Sequence, residues 1–167
     1  MPKYKIGNMW DQLHKNEIFL TTTNNVIKRN GALVMGAGAD KQATLLFPGI
    51  EYLFGNYIKK LNVTDYHFFI LEEVVQWNKA YGRSIVIGAL QTVRHYNDNS
   101  DIDLVKNSVN KLNNYAKTIN TTINCPMPGI GLGKLNINHV KKITDESPDN
   151  ICYWVYDNTL FNSIKEL

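Results

Sequence analysis

The chain has 167 residues, 44% of them hydrophobic, and its 18 basic and 15 acidic side chains leave a net charge of +3. This length and apolar content suit one domain over residues 1–167 with a substantial core. The positive charge is spread along the chain and lacks the concentrated stripe of a phosphate-backbone binder, so nucleic acid is not the expected partner, whereas a small anion suits the charge. No apolar run reaches the roughly eighteen residues of a membrane span, and the segment MPKYKIGNMW has neither the apolar core nor the cleavage site of a secretion signal. No membrane partner and a cytoplasmic setting are expected. Cys125 and Cys152 lie in or beside apolar stretches and read as buried thiols.

A short strand is expected near Tyr4 to Ile6, followed by a stronger one at Ile18 to Thr23, where β-branched and apolar residues dominate. A helix from about Ala39 to Phe47 stops before Pro48-Gly49. Ile50, Leu53, Phe54, Tyr57, Ile58 and Leu61 recur at intervals of three and four, the spacing that places apolar side chains on one face of a helix. His67 to Leu71 and Ser84 to Leu90 again read as strands. Ile102, Val105, Val109, Leu112, Ala116 and Ile119 mark a second amphipathic helix, with Ser100 as its cap and Asp101 and Asp103 complementing its positive start. Strands at Thr121 to Cys125 and Ile151 to Tyr156, a helix from near Asn136 and a last helix over Leu160 to Leu167 complete the series. The alternation predicts an α/β domain with helices on both faces of one mixed sheet.

Two strands run into glycine-rich segments that lead into helices, Gly31 to Gly38 and Gly129 to Gly133. Glycines let backbone N–H groups approach an anion closely, and a helix start adds positive potential. Either segment alone reads as ordinary turn chemistry. Together, at the carboxyl ends of strands in one sheet, they suit the two sides of a diphosphate. A dinucleotide-binding fingerprint fails, because Lys41 stands where the third glycine should be, and no Gly-Lys-Ser/Thr phosphate loop is present.

The string Thr22-Thr23-Asn24, then Gly31-Ala32-Leu33-Val34-Met35-Gly36-Ala37-Gly38, Gln42-Ala43 and Phe47-Pro48-Gly49-Ile50 resembles the macro-domain family, in its phage and bacterial branch related to ADP-ribose 1''-phosphate phosphatases. Gln91-Thr92, Arg94-His95, Asp101 to Leu104 and Pro126 to Leu135 follow in the same order, so the resemblance spans roughly Ile6 to Tyr156. It implies a three-layer α/β/α domain with ADP-ribose, or a related nucleotide, lying across the crest of the sheet. Gly7-Asn8-Met9 matches the family's Gly-Asp-hydrophobic motif, whose acid accepts a hydrogen bond from the adenine amino group; here an amide oxygen of Asn8 is the corresponding acceptor. Asn24 matches an asparagine near the distal ribose, Gly36, Ala37 and Gly38 match the first phosphate loop, and Gly129, Ile130, Gly131, Leu132 and Gly133 match the second. Tyr156, like Trp10 and Tyr96, is a candidate for stacking on adenine, or else simply packs in its strand.

In the family branch that removes ADP-ribose from glutamate, a lysine precedes the central helix and an aspartate sits in the second loop. Thr92 or Val93 and Gly133 stand near those positions here, which speaks against that mechanism. His95 and Asp98 remain as the candidate proton relay and water-orienting carboxylate for hydrolysis of a 1''-phosphate, with Asp40, Asp101 and Asp157 as further acids that read equally well as helix-start or loop residues. Lys28, Arg29 and Lys134 are loop cations that could attract phosphates. No metal or cofactor is expected. The resemblance implies a protein that binds ADP-ribose or a close NAD-derived nucleotide between the two loops and leaves open whether it also hydrolyses ADP-ribose 1''-phosphate or a related ADP-ribosyl derivative; the alternative is a non-catalytic sponge or sensor of an NAD-derived signal in phage–host conflict, placed in the host cytoplasm if phage-encoded.

Overall fold

The computed structural model describes residues 1–71, 75–78, 83–157, 159 and 161–162. Seven strands, β1 (Lys3–Ile6), β2 (Ile18–Thr23), β3 (Phe68–Ile70), β4 (Val75–Asn78), β5 (Arg83–Gln91), β6 (Ile123–Pro126) and β7 (Ile151–Val155), form one sheet. Four helices accompany them: α1 (Gly38–Leu46), α2 (Ile50–Leu61), α3 (Ile102–Ala116) and α4 (Ile137–Thr144). The strand order is β1-β7-β6-β2-β5-β3, with β4 also paired to β5. β1, β7, β6, β2 and β5 run parallel to their neighbours, while β3 and β4 pair antiparallel with β5. A parallel sheet needs cover on both faces, and its strands should be apolar on both.

Alternation along the strands divides the core into two layers. Phe19, Ile85, Ile87, Ala89, Cys152 and Trp154 face the side closed by α1 and α2, where Ala43, Phe47, Ile50, Phe54 and Ile58 meet them. Ile18, Leu20, Leu90, Ile123, Cys125, Ile151 and Tyr153 face α3 and α4, against Val105, Val109, Leu112 and Val140. Ile50, Phe54, Ile58, Val105, Val109 and Leu112 belong to the apolar stripes expected from the sequence. Each large side chain taken fully out of water contributes about 1.5–3 kcal/mol. The layers therefore hold the sheet from both sides and leave the strand ends to the loops. Both cysteines are free and buried, and burial raises the thiol pKa of each.

Several expected features differ in detail. Ser100 does not cap α3; Asp101 does, its Oδ1 accepting from the amides of Asp103 and Leu104 at 2.9 and 3.2 Å. A carboxylate one residue closer reaches both orphan amides, and Ser100 is turned instead against the second glycine loop. The strand β4 was not expected, because four residues are too few to show an alternation. The turn of 3-10 helix at Met9–Gln12 was also not expected. The final helix expected over Leu160 to Leu167 lies largely outside the described residues. No helix among the described residues is long and apolar enough to cross a membrane.

Candidate functional site

The five parallel strands end along one edge of the sheet, and their carboxyl-end loops surround a cavity of about 610 Å³. Crevices at this edge are where open α/β sheets bind ligands. Taken in strand order, the lining passes from Gly7, Asn8, Met9 and Trp10 after β1 to Trp154 and Tyr156 at β7, then to Pro126 at the end of β6 and Met127, Gly129, Ile130 and Gly133 after it. It continues to Thr22 near the end of β2 and Ala37–Ala39 beyond it, and ends at Thr92, Val93, Tyr96, Asp98 and Ser100 after β5. At the usual spacing between neighbouring strands the cleft runs across roughly 19 Å. Its middle belongs to the loops after β6 and β2, which are adjacent in the sheet.

The β2 side is made by the start of α1. Ala37 is its cap residue and offers no side-chain hydrogen bond. The opening amides of a helix have no carbonyl of their own helix to bond, so Gly38 and Ala39 present N–H groups and the positive end of the helix to the cavity. On the β6 side, the segment Gly129–Gly133 closes on itself through Lys134 N–H to Gly131 O at 3.0 Å and Leu135 N–H to Gly129 O at 2.9 Å. It is tied to the β5 loop by Ser100 N–H to Gly133 O at 2.9 Å. The amides of Ile130 and Gly131 have no backbone partner among the described residues. The start of α1 and the Gly129–Gly133 segment thus lie on the two sides of the middle of the cavity, and among the described residues its lining contains no lysine or arginine. Lys28, Arg29 and Lys134 are exposed and outside the lining.

The ends of the cleft differ in character. At the β1–β7 end, Met9 and Trp10 form a floor; Trp10 is 5% exposed, stacked on Phe19 and edge-on to Phe47. Tyr156 lies just past β7, is 73% exposed and lines the cavity, so it is not packed within the strand. At the β5 end, Tyr96 and Asp98 are exposed on the rim, and Asp98 is the one carboxylate among the described lining residues. Arg94 holds this rim in place. Its guanidinium spans both oxygens of Asp65 and reaches Asp101 Oδ2 at 3.0 Å, and its carbonyl accepts from Asn25 N–H at 3.2 Å.

Other residues singled out from the sequence lie elsewhere. Asn24 is buried and does not line the cleft: its Nδ2 donates to Val34 O at 2.8 Å and its Oδ1 accepts from Val26 N–H at 2.8 Å. The amide is spent on bracing a small hairpin in which Ile27 pairs with Leu33. Gly31 sits in that hairpin's turn, packed against Gly55 of α2 so closely that a side chain at Gly55 would overlap it. The first glycine segment is thus divided, and only its end, Ala37 and Gly38, reaches the cavity, with Gly36 exposed just before it. His95 is half-buried beside the rim, outside the lining, its Nδ1 accepting from Asn97 N–H at 3.1 Å and its ring stacked on Tyr96. Gly131 and Leu132 belong to the 3-10 turn Gly131–Gly133, with Gly131 close to the Tyr156 hydroxyl.

Asp40, in the first turn of α1, is buried and accepts from Thr21 Oγ1 at 2.5 Å. Burial raises its pKa to about 8 against the lowering effect of the Thr21 bond, so at neutral pH it is mainly a neutral acid. No negative charge then stands beneath the amides that face the cavity. Among the described residues, no cluster of three or more His, Cys, Asp or Glu side chains could hold a metal ion.

A three-layer α/β/α sandwich with a helix start and a glycine loop on either side of the strand ends is the architecture of a macrodomain. Solved structures share this fold. The macrodomain of Thermus aquaticus DarG superposes with a TM-score of 0.69 at 24% identity, covering 94% of this chain and 98% of that one. The macrodomain of Mycobacterium tuberculosis DarG gives 0.68 at 17% identity, covering 94% and 100%. Thermosipho africanus DarTG, solved in complex with ADP-ribose, gives 0.66 at 18% identity over 93% of this chain and 42% of that one. No protein-family model and no curated protein sequence matches the chain. The chain has the macrodomain fold.

Proposed function

We propose that this protein binds ADP-ribose or a close NAD-derived nucleotide, with the diphosphate between the start of α1 and the Gly129–Gly133 loop. The observation that carries the reading is the order of groups along the cleft: backbone donors in the middle, an aromatic end at β1–β7 and a polar rim at β5. A ligand with a central diphosphate, a nucleoside on one side and a second sugar on the other fits that order. The complex of a protein with the same fold, Thermosipho africanus DarTG, with ADP-ribose supports the ligand class.

The geometry favours recognition over turnover. Hydrolysis of a group on the distal ribose would fall to Asp98, since His95 lies outside the lining. Calorimetric titration is expected to show saturable binding of ADP-ribose in the micromolar range, with the ligand recovered intact from the denatured complex. Absence of saturation at millimolar ligand contradicts binding. Phosphate release from the 1''-phosphate that falls in Asp98→Asn moves the reading to an enzyme.

A further inference from the structure

Asp40 is the third residue of α1, directly after Gly38 and Ala39, which line the cavity. Acids in the first turn of a helix ordinarily lie at the surface, where they complement its positive end. Asp40 is instead 8% exposed, and its one hydrogen-bond partner among the described residues is the Thr21 hydroxyl of β2. Among those residues no lysine, arginine or histidine pairs with it, and Lys41 beside it in α1 is exposed. From the segment before β3, the Tyr66 phenol is close enough to feel its charge; it is buried, donates to Asn24 O at 2.9 Å and is neutral, its pKa raised first by burial and then by Asp40. Neither Glu51, Lys59 and Lys60 of α2 nor Asp11 of the Met9–Gln12 turn shifts the carboxyl. Burial raises its pKa to about 8, against the lowering bond from Thr21.

The positive end of α1 thus has two claimants, the Asp40 carboxylate from within the core and an anion from the cavity. We propose that the proton on Asp40 controls the cleft: an anionic nucleotide binds the neutral-acid form and is repelled by the ionised one, so that binding is coupled to proton uptake. The sign follows from like charges. An anion at the start of α1 makes Asp40 harder to ionise, and by linkage the ionised acid weakens the anion by the same factor. Affinity is then level below about pH 7 and falls as pH rises through about 8, where the free protein gives up this proton and the complex still holds it. The diphosphate of ADP-ribose is fully ionised throughout that range, so the change belongs to the protein.

The inference rests on the nucleotide reading above, and its test separates the two. ADP-ribose is titrated calorimetrically into native protein, Asp40→Asn and Thr21→Val at about pH 6 and about pH 9. Native protein is expected to bind about fivefold more weakly at the higher pH, with net proton uptake read from the dependence of the heat on the buffer's own ionisation. Asp40→Asn fixes the neutral form and is expected to stay within about twofold across the range. Thr21→Val loses the bond that lowers the pKa, so its fall in affinity moves to higher pH. The carboxyl carbon of Asp40, followed by NMR in native protein, needs no variant: its midpoint is expected near pH 8 without ligand and higher with it. A midpoint in the ordinary carboxylate range, a midpoint that ligand does not move, or a pH profile parallel to that of Asp40→Asn overturns the inference and leaves the nucleotide reading intact. Failure of ADP-ribose to bind native protein at either pH overturns both proposals.

Discussion

The two glycine segments look alike in sequence and differ in what their glycines are for. In the loop after β6 the glycines are needed by the protein itself: a Cβ at Gly129 would lie 2.5 Å from Leu135 Cδ1 and 3.2 Å from Ser100 Cβ, and one at Gly133 would lie 3.0 Å from Ser100 Cβ. At the start of α1 a Cβ on Gly36 or Gly38 would meet nothing within 4 Å. Space is left open there by the protein and is available to a ligand. One half of the cradle is thus a packed fixture, and the other is an accessible helix end.

The sharpest test of this contrast is Gly129→Val. With φ at 76° and neighbours on two sides, a branched side chain is expected to cost on the order of 3–5 kcal/mol in denaturant unfolding and to abolish binding with it. Near-native stability would erase the distinction between the loops.

The next effect concerns the acid beneath the helix end. Its folded pKa, raised to about 8, exceeds the unfolded value of about 3.9, so the unfolded chain gives up the proton first. The stability of the neutral acid is fully present below about pH 4 and is lost as pH rises through about 8. Between pH 5 and pH 8 the native chain is expected to lose on the order of 2–4 kcal/mol relative to Asp40→Asn, read from unfolding curves at each pH. Parallel pH profiles for the two proteins would show that Asp40 is already ionised.

Smaller effects are expected at the open end. Gly38→Ala costs about 1–2 kcal/mol, because φ is 58°, yet should fold. Its added methyl group narrows the ligand's approach and is expected to weaken nucleotide binding about tenfold. Gly36→Ala, exposed and without a left-handed φ, should stay within about 0.5 kcal/mol of native in stability. A loss of fold in Gly36→Ala would place it with the packed loop.

Much of the fold was legible because two periods are written plainly in the chain. Ile18 to Thr23 is a strand over the expected residues, and the stripe from Ile50 to Leu61 is α2. The second cleft loop was legible for the same reason, since a glycine segment after a buried strand must emerge at the sheet edge. What could not be read were relations between distant residues. Nothing local marks Asn24 as a brace for Val26 and Val34, or Gly31 as the partner of Gly55. The rim at Tyr96 and Asp98 takes its position from Arg94, whose anchor Asp65 lies 29 residues away in the chain. Asn8 was legible as a site residue, but its Oδ1 also accepts from Trp10 N–H at 3.0 Å to cap the Met9–Gln12 turn, and that turn carried no sequence signal.

Amide chemical-shift mapping during titration with ADP-ribose tests the central claim most directly. The largest saturable shifts are expected at Gly38, Ala39, Ile130 and Gly131, with smaller ones at Asn8 and Tyr156 and none at Phe68–Ile70 in the edge strand β3. Shifts that leave the α1 start and the Gly129–Gly133 loop unmoved, or that gather on the exposed cations Lys28 and Arg29, would contradict it.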